Sequence, residues 1–107
     1  MKLVITIIQD DDVTKLIDKL TENKFRVTKL ASTGGFLRAG NTTLLIGVEK
    51  ERLDELIKTI EEVCETREVI MDPPPLTEDS VFMTEPYKVQ VGGATIIVLD
   101  VERYEKV

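Results

Sequence analysis

Arg26–Gly47, RVTKLASTGGFLRAGNTTLLIG, is the stretch that decides the fold. Phe25 to Ser32 alternate as a strand does, with Phe25, Val27 and Lys29 on one face and Arg26, Thr28 and Leu30 on the other. Thr42 to Val48 is β-branched and apolar throughout, a second strand. Between them Thr33-Gly34-Gly35 opens a turn and Gly40-Asn41 closes it. Gly34, Gly35 and Gly40 permit backbone conformations closed to other residues. The turn also carries Phe36, Leu37 and Arg38, more chemistry than a simple connection needs. The hairpin is therefore expected to hold a small anionic ligand.

The elements outside the hairpin complete a repeating order. Leu3 to Ile8 is an apolar run rich in isoleucine and reads as a central strand buried on both faces. Gln9 to Asp12 end it, and Asp11 or Asp12 is expected to cap the helix that follows. Val13, Leu16, Ile17 and Leu20 form its apolar stripe, and Asn23 is expected to close it in a left-handed conformation. A second helix is expected over Glu49 to Cys64, with Leu53, Leu56, Ile57, Ile60, Val63 and Cys64 inward. Its outer face offers Glu49–Arg52 and Asp54–Lys58 as favourable pairs. Residues 67–87, with Pro73-Pro74-Pro75, form a long loop, part of which can make a small hairpin. Lys88 to Leu99 is strand again, broken by Gly92-Gly93. Asp100 to Val107 reads as a tail with a helical turn and Tyr104 packed down.

The order β-α-β-β-α-β predicts one α+β domain over residues 1–107, of the ferredoxin-like plan. Two helices cover one side of a four-stranded antiparallel sheet. The other side has no cover within the chain, and its apolar residues call for a closed oligomer of two or three subunits.

Charge and composition narrow the function. Apolar residues make up 42% of the chain, a globular value. The net charge of -6 disfavours broad nucleic-acid binding. It leaves room for a compact cationic pocket built from Arg26, Lys29 and Arg38. Arg offers a planar fork for phosphate or carboxylate oxygens, and Thr28 shares the face of Arg26. Asn41 suits either a purine edge or the cap of the turn. Phe36 and Leu37 suit a nucleobase or a subunit contact. Gly47, inside a strand, marks close packing against a ligand or a neighbour.

With one cysteine and no histidine, the chain lacks an internal disulfide framework, the usual structural zinc ligands and a hydrolytic triad. No phosphate-binding G-x-x-x-x-G-K-S/T and no G-x-G-x-x-G is present. Cys64 reads as core, and Asp10 to Asp12 as helix-start acids rather than a metal site. No stretch is long and apolar enough to span a membrane, and the cytoplasm is the default expectation. The chain is expected to be a binding module rather than an enzyme, without metal or cofactor.

Four segments resemble the PII-like cyclic di-AMP receptor family: VITIIQDDD at 4–12, FRVTKLASTGGFLRAGNTTLLIGV at 25–48, EVCETRE at 62–68 and VQVGGATIIVLDV at 89–101. The most specific is TKLASTGGFLRAGNTT. The resemblance implies a homotrimer related to the nitrogen-regulatory PII signalling proteins, with a ligand site at each subunit boundary. It implies that Arg26 and Thr28 meet the ligand from the second strand. Gly35, Phe36, Leu37 and Arg38 would enclose a base and a phosphate, and Asn41 would bond an adenine. Gly47 would leave room beside it, and Gly92 would approach with its backbone. Relatives often have Asn where Lys24 stands, and the 67–87 loop is unlike theirs. The implied function is a signalling receptor that binds cyclic di-AMP and changes loop conformation for a downstream protein target. The alternative is a PII-like sensor of ATP or another cyclic dinucleotide.

Overall fold

The computed structural model describes residues 1–30, 40–71 and 86–107. Strand β1 spans Lys2–Gln9, helix α1 Asp10–Glu22, β2 Arg26–Leu30 and β3 Asn41–Val48. A 3-10 turn at Lys50–Arg52 leads into α2, Leu53–Cys64, followed by β4 at Arg67–Met71, β5 at Tyr87–Val91 and β6 at Ala94–Asp100. The main sheet has the order β2-β3-β1-β6, and every neighbouring pair in it is antiparallel. This is the small α+β arrangement expected, with β4 and β5 inserted as a separate two-stranded ribbon. The ribbon pairs the start of the expected loop with residues beyond it, so the stretch expected as one strand over Lys88–Leu99 is divided at Gly92-Gly93: Tyr87–Val91 belongs to the ribbon and only Ala94–Asp100 to the main sheet.

Period-2 alternation places the core. Val4, Thr6 and Ile8 of β1 and Thr42, Leu44, Ile46 and Val48 of β3 are buried on one face. Against them pack Val13, Leu16 and Leu20 of α1 with Leu56, Ile60 and Cys64 of α2. Leu3, Ile5 and Ile7 alternate onto the opposite face. They are half-buried or exposed, so β1 is covered on one side only within the chain, not on both. Register places Leu45, Thr28, Ile97 and Leu99 on that same open face.

The first helix starts without a side-chain cap. Gln9 is the N-cap residue, and Asp10, Asp11 and Asp12 all lie in the first turn, where their charge suits the helix dipole. Asn23 closes α1 with φ −87°; the left-handed residue is Lys24, at φ 64°. Here the chain reverses within two residues, and the Lys24 and Phe25 amides return to Thr21 O and Leu20 O. The helical stretch expected from Glu49 begins as the 3-10 turn. Arg52 bonds Glu55 rather than pairing with Glu49, donates to Asn23 O, and lies 4.0 Å over the Phe25 ring. The tail after Asp100 forms no helical turn, and Tyr104 is exposed rather than packed down.

Candidate functional site

Two regions of the sheet carry the residues singled out from the sequence. The first lies where β2 begins and β3 ends. Arg26 pairs with Gly47, Gly47 with Leu3, and Leu3 with Leu99, so four strands meet in one row. On the open face above this row is a cleft of about 650 Å³, bordered by Arg26, Thr28, Gly47, Leu45, Lys2 and Tyr104 among others. That volume suits a small organic ligand. A smaller hollow of about 190 Å³ adjoins it across Met1, Arg26 and Gly47, and is lined by Lys24 and Arg52. Lys24 thus borders the neighbouring hollow rather than the main cleft.

The cleft combines a guanidinium and a hydroxyl with an apolar floor. Gly47 keeps that floor low. A Cβ built there would meet only the tip of Met1, at 3.2 Å, and the Gly47 backbone is not left-handed. Neither strain nor rigid packing within the chain demands glycine at this position. Lys2 is held by Asp100, whose carboxyl that ammonium draws below its usual range.

The second region lies at the far end of the same strands. Asn41 opens β3 and pairs with Gln9. The Gly92 amide donates to Gln9 Oε1 at 2.8 Å. Gly92 is fixed by its surroundings: its φ is 87°, and a Cβ would come within 2.4 Å of Glu65 O and 2.6 Å of Arg67 Nη1. Arg67 itself is clamped on Asp12, with Nη2–Oδ1 at 2.7 Å and Nη1–Oδ2 at 3.4 Å. The buried Asp12 therefore does not cap the helix but ties its first turn to the root of the ribbon. This carboxylate raises the Arg67 pKa above its usual value. The Thr42 hydroxyl donates to Asp10 Oδ1 beside it.

The structure thus brings Arg26, Thr28 and Gly47 together, and places Asn41 and Gly92 each beside Gln9 at the other end. Six residue steps along one strand separate Gly47 from Asn41, roughly 20 Å at strand rise. Gly35, Phe36, Leu37 and Arg38 lie outside the described residues. Sequence reasoning missed Lys2, Gln9, Arg67 and Tyr104 as neighbours of these groups. Nothing local marks them, because register and long-range pairing bring them there.

Cys64 is buried, and its thiol is pushed up to about 11, first by burial and then by Asp12. It is core, as expected. Among the described residues no cluster of three or more metal-ligating side chains occurs, and no helix is long and apolar enough to cross a membrane.

Comparison with known proteins adds the family. A protein of unknown function from Pediococcus pentosaceus is similar in structure, with a TM-score of 0.80 and 45% identity. The alignment covers 99% of this chain and 96% of that one. The model of the cyclic-di-AMP receptor family matches residues 1–107. The chain belongs to the cyclic-di-AMP receptor family.

Proposed function

We propose that this protein is a non-enzymatic receptor that takes up cyclic di-AMP at the seams of a homotrimer and changes loop conformation for a downstream protein target. The observation that carries the reading is the split of its polar groups. Arg26, Thr28 and Gly47 stand at one end of the strands and Asn41 with Gly92 at the other. One copy cannot close a single pocket from both sets, whereas two copies side by side can each contribute one.

The open sheet face supports assembly. Ile7, Leu30, Ile97 and Leu99 are exposed large apolar residues on it, and Leu3, Ile5 and Leu45 continue the patch. A face of this kind on a single chain is a contact surface in need of a partner. A second copy of the chain supplies the same apolar surface. The ribbon formed by β4 and β5 leaves Val69, Ile70 and Tyr87 exposed. A two-stranded ribbon is marginal alone, so it is suited to being reordered when ligand arrives.

In the bound state the Arg26 guanidinium meets phosphodiester oxygens through charge-assisted hydrogen bonds. Thr28 adds a hydroxyl on the same face, and the missing side chain at Gly47 admits a flat ring. Every step is binding, and no bond of the ligand breaks.

Calorimetric titration with cyclic di-AMP, paired with sedimentation to fix the mass, tests the reading. The expected result is saturable heat at one ligand per chain on a three-chain particle. Arg26→Ala is expected to weaken binding about tenfold or more, the loss of a charged hydrogen bond. No saturable heat at high micromolar ligand would reject the proposal. Competition by ATP or cyclic di-GMP at equal potency would favour a sensor of a different nucleotide.

A further inference from the structure

We propose that Tyr104 is a base-stacking residue of the ligand site. Its ring forms a wall of the cleft above Arg26, Thr28 and Gly47, and an adenine lies against it. The inference rests on the reading that this cleft takes cyclic di-AMP.

The cleft needs such a group. Arg26 and Thr28 serve the phosphodiester, and Leu45 and Gly47 make a low apolar floor. A purine is held by surfaces on its faces, and an aromatic ring is the most effective of these. Among the described residues that line the cleft, Tyr104 is the aromatic one. It remains 62% exposed, so its ring is not consumed by the core.

The tail delivers it there by two connections. The Val101 amide donates to Met1 O at 3.2 Å, and Asp100 pairs with Lys2, itself a cleft residue. These anchor the root of the tail beside the cleft. Beyond them the tail has no helix or strand, which lets the ring adjust to a base. Arg103 is turned to Glu105 rather than to the cleft. The aromatic ring is therefore what the tail offers the ligand.

The composition provides a direct probe. The chain has two tyrosines and no tryptophan. Tyr87 lies on the ribbon strand β5 and does not line the cleft. In Tyr87→Phe, Tyr104 is the sole emitter. Titration of that variant with cyclic di-AMP, corrected against free tyrosinamide, is expected to quench emission along the calorimetric binding curve. Tyr104→Ala is expected to bind about tenfold more weakly, while Tyr104→Phe keeps most of the affinity because the ring is retained. An exposed tail residue is safe to truncate, and a thermal melt checks that the variant is folded.

The outcomes separate. Binding heat without quenching, or Tyr104→Ala binding as tightly as the unaltered protein, overturns this inference and leaves the receptor reading standing. No heat with the unaltered protein overturns both.

Discussion

Gly92→Ala is the sharpest test of how the far end of the sheet is built. Gly92 sits at φ 87°, where an L-residue other than glycine costs about 1–2 kcal/mol. The added methyl would lie 2.4 Å from Glu65 O, a backbone atom that moves only with the end of α2. Overpacking of this kind costs about 1–3 kcal/mol. The two together give roughly 2–5 kcal/mol. A third consequence follows from position. The methyl would also sit 2.6 Å from Arg67 Nη1, and Arg67 can yield only by loosening its clamp on the buried Asp12.

For a domain of this size, a loss of a few kcal/mol is a large share of the total stability. It lowers the melting midpoint by roughly 10 °C or more. The assay is urea unfolding of the ligand-free protein, at one fixed chain concentration because the proposed assembly would make the midpoint concentration-dependent. The Asp12→Asn variant serves as a second background, since loosening the clamp first should shrink the Gly92→Ala effect. Gly92→Ala within 0.5 kcal/mol of the unaltered protein, a threshold set by ordinary surface changes, would refute the reasoning.

Gly47→Ala should part stability from binding. Only the flexible Met1 tip opposes the methyl, so unfolding changes by about 0.5 kcal/mol or less, while calorimetry should record weaker cyclic di-AMP binding. Lys24→Gly removes a left-handed lysine and should stabilise by about 0.5–1 kcal/mol in urea unfolding; a destabilised variant would contradict it. Cys64 gives a pH dependence. Its native value near 11 exceeds the reference value of 9.0, so above pH 9 the unfolded thiol releases a proton that the folded one keeps. Stability is thus intact below pH 9 and falls between 9 and 11, by about 1.4 kcal/mol per pH unit at most. Cys64→Ala should flatten that part of the profile relative to the unaltered protein, as read by unfolding across the pH range.

The fold was legible because its signals are local and periodic. The stripe of Val13, Leu16 and Leu20 and the alternation of Val4, Thr6 and Ile8 each repeat within one element, and the structure buries them as the periods require. The failures were at junctions. Asn23 is the usual left-handed residue by propensity, yet the reversal into Phe25 falls one residue later and puts Lys24 there. Asp12 looked like a cap because only its neighbours in sequence were in view. Its true partner, Arg67, lies 55 residues away. Tyr104 is expected packed down on a helical turn of the tail, yet the tail forms no such turn, and no sequence pattern reveals which cleft a tail will border. Of the candidate site, the residue types are readable in the sequence, whereas most of their proximity is not. Arg26 and Thr28 share a strand face, so their alliance followed from alternation. Gly47 joined them only through the β2–β3 register.

That register also explains how an acidic protein can receive a dianion. The net charge of -6 is spread over the surface, and solvent screens separated charges within about 10 Å at 0.1 M salt. On the proposed reading, what the ligand meets is the cleft itself. Lys2 is matched to Asp100 there, whereas Arg26 stands on the open face over apolar floor, where exclusion of water strengthens a charge-assisted bond. Such exclusion is incomplete while the face is open. Closing it with a second copy would bury the apolar patch and dry the guanidinium in one event, so that assembly and affinity rise together.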